Sequence, residues 1–439
     1  MNPPMDISFQ PQRLLGARLP RWLLARDWPI DNGQPQLADI DIAHGRIVSI
    51  APHSLDDPRI GGAMDREKGD SNGNALASWH LAGAPVLPAL VDAHTHLDKA
   101  FTLPRMGTVT PGLLGAIEAM MADRATWTAA DVHARATQGL EWAYRSGVGH
   151  LRSHCDWWEA HSTPIAWDVL GELAHEWSDR LVLERVSLIP LHHFAERHTA
   201  MAMAAKMASS GLGARLGGFV HTTNWNPRAL RHLFEAAQHH GLDVDLHVDE
   251  ELNPAAVGLA TTATLLADMH FEGHVVCGHN CALSAQDEAR ALATLDAVAK
   301  VAITLVTLPM TNLLLQDATV GRTPRLRGLT LLKEARERGI PVLIASDNVQ
   351  DPFCPVGSFD PLEAFAAGVL AGQLDAAFDT WSESLCRADW LHRGASQPPL
   401  QPGSKADLIV LKEATAWGFP SRTHERAVMR AGHILKAMP

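Results

Sequence analysis

Six side chains with chemistry to offer close short apolar runs in this chain or follow them directly. His94 and His96 end the run PVLPALVDAHTH, His247 ends LDVDLH with Glu250 three residues on, His279 ends HVVCGH, and Asp347 follows PVLIAS. A spacing of two along a strand turns His94 and His96 to the same face. Three imidazoles and one carboxylate gathered at one place form a donor set for catalytic Zn2+ or Fe2+ that leaves a position open for water. Such an ion brings the pKa of its water down towards about 7, which makes hydroxide available at neutral pH. Singly, each residue has an ordinary structural use. Asp347 could cap a helix, an imidazole could be a hydrogen-bonded strand residue, and Glu250 belongs to the acidic run Asp249-Glu250-Glu251. Their recurrence at one run end after another is what points to a metal centre.

The elements that must position these groups follow from the apolar pattern. Eight short runs stand out: PVLPALVDAHTH, GVGHLRSH, LVLERVSLIPL, RLGGFVH, LDVDLHVDE, HVVCGH, AITLVTLP and PVLIASD. Amphipathic stretches of helical length separate them, for example Ala129 to Tyr144, Pro227 to His240, Asp287 to Ala299 and Thr330 to Arg338. This alternation predicts an α/β chain with a parallel sheet. His94 and Asp347 lie 253 positions apart, against roughly 250 residues for a closed (β/α)8 barrel of the TIM type. In that barrel the reacting groups sit at the C-terminal strand ends, where the six residues fall. A doubly wound open sheet is disfavoured, because no Gly-rich phosphate fingerprint follows the first run.

Near the N-terminus, Ile40, Ile42, Ile47 and Ile50 flank a turn at His44-Gly45 as in a hairpin, and Gly61 to Asn74 reads as a loop. Beyond residue 400, SKADLIVLKE and RAVMRAGHILKAMP are again strand-like. The expected organisation is therefore a barrel over 85–395 and a small β-sandwich domain built from both ends, 1–84 and 396–439.

Composition narrows the partners. The 439 residues are 46% hydrophobic and 20% charged with a net charge of −12, so phosphate backbones and anionic lipid surfaces should be repelled. Neither nucleic acid nor membrane is expected as a partner. Five cysteines show no paired framework, and Arg13, Arg18, Arg21 and Arg26 interrupt the apolar stretches where a leader would lie. A cytoplasmic setting is the expectation. Twenty-four histidines are an excess that a metal centre would partly absorb.

The stretch Pro88-Ala-Leu-Val-Asp-Ala-His94-Thr-His96-Leu-Asp-Lys-Ala-Phe-Thr102, with His247-Val-Asp-Glu250, Gly278-His279 and Ser346-Asp347-Asn-Val-Gln-Asp-Pro352, resembles the amidohydrolase superfamily in its cytosine-deaminase-like branch. The resemblance covers about 85–395, and the terminal β pieces are similar to the family's split sandwich. It implies one divalent ion per chain, Zn2+ or Fe2+, held by His94, His96, His247 and Asp347. It further implies that Glu250 shuttles protons between water, ring nitrogen and leaving amine, a role its placement suggests independently. His279 would orient or polarise the hydroxide, and Asp347 would also accept the water proton. Binuclear members carry a carboxylated lysine at the end of a middle strand; here the fourth run ends Phe219-Val220-His221, which implies a single metal.

The departures bear on substrate. Cytosine deaminases have a glutamine after the proline that closes the third strand, whereas Pro190 is followed here by Leu191, His192 and His193. They also carry two successive aspartates after the eighth strand, where this chain has Asp347-Asn348. Lys99 is instead similar to the branch that removes alkylamines from aminotriazines such as isopropylammelide, and as a cation it would stabilise a ring oxyanion. Lys99, Leu191, His192, Asn348 and Phe353 are therefore the expected substrate contacts. His154 and Asp156 are candidates for contacting substrate, for supporting the site or for a purely structural hydrogen bond, and Trp157, Trp158, Phe101 and Trp225 for stacking or lining. The implied activity is hydrolytic deamination of an amino-substituted nitrogen heterocycle, pyrimidine- or triazine-like but not cytosine itself, through a metal-bound hydroxide. A cyclic amide or lactam hydrolase with the same site stays open, as does a barrel that binds metal and a small molecule without turnover. Family members often assemble as homo-oligomers, and no residue here locates an interface.

Overall fold

The computed structural model describes residues 7–54, 77–159, 162–394 and 398–435. The loop expected over Gly61 to Asn74 and the boundary drawn between 395 and 396 lie outside them. All eight apolar runs form strands: β1 (Leu90–Thr95), β2 (Val148–Asp156), β3 (Val182–Leu188), β4 (Ala214–Val220), β5 (Val244–Val248), β6 (Val275–His279), β7 (Ile303–Thr307) and β8 (Val342–Ile344). They pair in parallel, each with its chain neighbours, in one eight-stranded sheet. The first and last strands then meet. Thr95 bridges Asp347 in parallel, the Asp347 amide donates to the His94 carbonyl at 2.9 Å, and the Ser346 amide donates to Asp92 Oδ1 at 2.9 Å. Strands β1, β5, β6, β7 and β8 are buried along their whole length, as continuous apolar runs covered by helices must be.

The expected helices form with ends moved by a residue or two: Ala129–Ser146, Pro227–His239, Glu288–Val298 and Leu332–Glu337. Side-chain caps set three of the starts. Thr128 accepts from the Asp131 amide, Asn226 from Arg228 and Ala229, and Asp287 from Ala289 and Arg290. The fourth helix begins later than its pattern suggests, and the Thr330 hydroxyl is engaged instead by the His279 carbonyl. One further helix matters to the site: α1 (Leu113–Arg124), in the long connection after β1.

Both chain ends build a separate β unit. Arg13–Ala17, Ala38–Ala43, Arg46–Pro52 and Ser78–His80 make a four-stranded sheet that contains the expected hairpin, with Ile42 opposite Ile47. Ile7–Phe9 and Val86–Pro88 join Leu408–Leu411, Arg426–Arg430 and His433–Leu435 in a five-stranded sheet. Leu14, Ile40, Ile47, Val86, Leu408 and Met429 share an apolar core distinct from that of the barrel. The architecture is thus a TIM-type barrel with a small sheet domain drawn from both termini. Among the described residues no helix is long and apolar enough to cross a membrane.

Candidate active site

The strand ends bring the predicted ligands together. His94 lies in β1 and His96 just past it, His247 is the penultimate residue of β5, and Asp347 follows β8. His94 Nε2 is 3.1 Å from His247 Nε2 and 3.6 Å from Asp347 Oδ1, while His96 Nε2 is 3.3 Å from His247 Nε2 and 3.2 Å from Asp347 Oδ1. A tetrahedral ion with bonds of 2.0–2.1 Å needs donor atoms about 3.3 Å apart, which is the spacing found. Both Asp347 oxygens and the Nδ1 atoms of His94, His96 and His247 are buried without a hydrogen-bond partner. Burial, reinforced by neighbouring positive groups, holds the three imidazoles well below their usual pKa, in the neutral form that ligates metals. Burial also pushes Asp347 up to about 8. The three Nε2 atoms face one another and the Asp347 carboxylate; lone pairs crowded this closely are unfavourable by themselves, and a divalent cation would satisfy them.

Beside this set, His279 ends β6 in the left-handed region (φ 69°), as does Asp347 (φ 62°) after β8. Histidine and aspartate tolerate that conformation better than most residues. His279 Nδ1 donates to Asn312 Oδ1 at 3.1 Å, which leaves the lone pair on Nε2, a buried atom with no partner. Burial keeps this ring neutral, its pKa down to about 3. Glu250 Oε1 lies 3.4 Å from His279 Nδ1. Burial, and then the neighbouring Asp347 carboxylate, raise the Glu250 carboxyl well above its usual value, the direction a proton-transferring carboxyl requires.

These groups open on a cavity lined by His96, Lys99, Asp156, His247, Glu250, His279, Asn348 and Phe353 together with an apolar wall. Lys99 Nζ donates to Asp156 Oδ1 at 2.8 Å and sits 4.7 Å from the Phe353 ring centroid. Burial opposes the Lys99 charge, but the carboxylates of Asp156 and Asp98 outweigh it and hold its pKa above the usual value. Asn348 Nδ2 donates to Asp351 Oδ2 at 2.6 Å, and Asp351 Oδ1 accepts from the Phe353 amide at 2.8 Å. That bond uses one of the two Asn348 N–H donors and fixes which way the side-chain amide faces.

Two expected substrate contacts are not on the cavity wall. Pro190 bridges to Phe219, and the chain then turns into a short 3-10 helix, Leu191–Phe194, that buries Leu191 in the barrel core and exposes His192 to solvent. The position after the proline therefore leaves the strand direction, and Pro190 itself lines the cavity. Of the stacking candidates, Trp158 faces the cavity with its indole N–H unpartnered. Trp157 packs on Trp167, Phe101 on Trp142 and Phe359, and Trp225 against the core. His154 is buried beneath the ligands, stacked on His94. Sequence reasoning missed the wall formed by Leu113, Ile117 and Met120 of α1 with Leu188 of β3. It also missed Asn312, which orients His279. The only available signal for the wall was that a helix-length apolar stretch follows β1.

Residues 177–432 match the amidohydrolase family. The chain is 36% identical over 405 residues to a pterin deaminase of Rhizobium rhizogenes, spanning 91% of this chain and 87% of that protein. It is 22% identical over 416 residues to the N-isopropylammelide isopropyl amidohydrolase of a Pseudomonas species, spanning 90% and 93%. Its fold matches that of 5-methylcytosine deaminase from Klebsiella pneumoniae, crystallised with 5-fluorocytosine, with a TM-score of 0.75 at 21% identity over 97% of this chain and 98% of that one. With these findings, the barrel and the polar groups at its mouth define a hydrolase of carbon–nitrogen bonds of a metal-dependent kind. The chain belongs to the amidohydrolase family.

Proposed function

We propose that this chain hydrolytically deaminates a pterin-like heterocycle, a fused ring carrying an aminopyrimidinone, with one Zn2+ or Fe2+ held by His94, His96, His247 and Asp347. The observation that carries the reading is the meeting of four ligand-type side chains at ligand spacing, with Glu250 and His279 beside them at the cavity. The pterin deaminase relative supports the ring class and narrows the pyrimidine- or triazine-like expectation. The ion would supply Lewis acidity, lowering the pKa of water into the neutral range.

The remaining roles fall to the chain's own residues. Water attacks the ring carbon that bears the amino group. Glu250 takes one proton from that water and gives it to the adjacent ring nitrogen; the water's second proton, taken up by Asp347, is relayed through Glu250 to the departing amine, so that ammonia leaves and a ring carbonyl remains. The Nε2 lone pair of His279 accepts a hydrogen bond from the water and fixes its direction, while Asp347 takes its second proton. Lys99 donates to a ring oxygen, and the Asn348 oxygen accepts from a ring N–H. Leu113, Ile117, Met120, Trp158 and Phe353 cover the faces of a flat ring and exclude water. Within the same reading, 85–395 form the catalytic barrel and 1–84 with 396–439 the sandwich domain. Five buried cysteines, none in a disulfide, support a cytoplasmic setting.

The test is ammonia release by the Zn2+- or Fe2+-loaded protein across pterins, aminopyrimidines, aminotriazines and purines. Pterins should be turned over with the highest kcat/KM. A metal-loaded protein that releases no ammonia from any of them refutes deamination, and ring opening without ammonia restores the lactam-hydrolase reading.

A further inference from the structure

Barrels of this type are filled by layers of branched apolar side chains, yet the interior below His94 carries charge. Arg152 on β2 is 1% exposed; its Nε donates to Glu184 Oε2 on β3 and its Nη1 to Asp245 Oδ2 on β5, both at 2.7 Å. Its Nη2 donates to the Leu391 carbonyl at 3.1 Å. The Leu391 side chain is buried with Val91, Val276, Val306 and Leu343. Upwards, Asp245 Oδ1 lies 3.7 Å from His154 Nε2, and the His154 ring stacks on His94 with centroids 3.8 Å apart and planes at 27°. His154 is also 4.6 Å from the His247 ring. Both His154 nitrogens and Asp245 Oδ1 are buried without a hydrogen bond, and neither residue lines the substrate cavity. An imidazole with no role in the cavity, packed flat on a metal-ligand candidate and aimed at a carboxylate that an arginine fixes, has the arrangement by which outer-layer groups orient ligands.

We propose that His154 and Asp245 are positioning residues for the metal: the His154 ring backs His94, and Asp245, anchored by Arg152, holds the His154 ring in place. Ligand geometry is then set from inside the barrel, without contact to substrate. The inference rests on His94 being a ligand, as proposed above.

The experiment measures Zn2+ affinity by chelator competition on metal-stripped, refilled full-length protein, with folding checked by circular dichroism. His154→Ala should weaken Zn2+ by about 10–100-fold and leave the substrate KM unchanged, with kcat recovering at saturating Zn2+. His154→Phe, which keeps a flat ring against His94 but cannot bond Asp245, should bind Zn2+ more tightly than His154→Ala. Asp245→Asn should cost about 10-fold alone but add little in the His154→Ala background, because it acts through that ring. Glu184→Gln removes the Arg152 partner on the far side and should lower thermal stability while leaving Zn2+ affinity within about 2-fold. The proposal is overturned if His154→Ala binds Zn2+ like the parent, if the Asp245→Asn loss persists undiminished without His154, or if Glu184→Gln weakens Zn2+ equally. Should Asp245→Asn not fold, the comparison of His154→Ala with His154→Phe decides, equal losses in both refuting the stacking role. A parent protein that fails to bind Zn2+ or Fe2+ stoichiometrically overturns the metal reading itself, a separate outcome.

Discussion

Gly278 has no side chain to do chemistry, and adding one methyl group there tests the metal site from a position that is not a ligand. The residue pairs with His247 in the β5–β6 register. A Cβ built on it would stand 2.8 Å from Cε1 and 2.9 Å from Nδ1 of His94, whereas ordinary contact begins near 3.4 Å. The imidazole would have to retreat by about 0.6 Å, roughly three times the ±0.2 Å that metal–ligand distances tolerate. It has little room to do so. The His154 ring is stacked on it at 3.8 Å, and the rings of His247 and His279 lie 4.4 and 5.2 Å away. Gly278 is not among the positive-φ glycines, so the methyl acts through space and not through backbone strain. Overpacking of this kind costs about 1–3 kcal/mol, which leaves the fold testable. Gly278→Ala should therefore lose at least about 10-fold in Zn2+ affinity. At saturating Zn2+ it should also lose on the order of 10–100-fold in kcat/KM, since a 1 Å misplacement of reacting groups costs about 100-fold. Chelator competition and a titration of kcat/KM against metal measure the two effects separately. Parental affinity together with parental turnover would refute the assignment of His94 as a ligand in this geometry.

Other outcomes follow from the same site. Glu250→Gln should retain metal, measured by elemental analysis, while kcat falls by about 100- to 10,000-fold; undiminished turnover removes its proton-transfer role. His247→Ala should lose metal and turnover together, because that nitrogen lies 3.1 and 3.3 Å from the two other imidazole donors, and a metal-replete mutant contradicts the donor set. Far from the cavity, burial lowers the His392 pKa from 6.5 to about 4 against the opposing charge of Glu184. The unfolded chain therefore binds a proton across that interval that the folded chain refuses, so this histidine makes stability rise with pH between about 4 and 6.5 and fall as acid is added. His392→Gln should flatten the profile of Tm against pH in that window, and an unaltered profile would show that the histidine does not titrate as described.

The proposed ligands were legible because two rules act on the same residues. Apolar runs locate strands, and the polar residue that closes a run marks the C-terminal mouth of a barrel, so His94, His96, His247, His279 and Asp347 declared themselves without any contact being known. The rule failed after β3, where Pro190 bridges to Phe219 and the chain swings into a 3-10 helix. Leu191 then follows the packing of that helix and not the strand direction. The apolar wall was illegible for a different reason: Leu113, Ile117 and Met120 read the same whether α1 covers a substrate or a core, and only tertiary placement distinguishes them.

The charged barrel interior falls between these cases. Arg152, Glu184 and Asp245 each interrupt an apolar run in mid-strand, a local breach of pattern that a barrel fold should make costly. Period two also says which breaches matter. Glu184 meets the inward guanidinium of Arg152, whereas its neighbour Arg185 points away, lies 4.4 Å from the Trp167 ring centroid and donates to the Trp167 carbonyl. A mid-strand charge is thus ambiguous by itself. Two charges of opposite sign on strands that pair side by side, Arg152 opposite Glu184 in the β2–β3 register, are much less so. The strand order makes β2 and β3 neighbours, the register sets Arg152 against Glu184, and the contacts of Arg152 lead from there to Asp245, to His154 and to the ring that backs the proposed ligand His94.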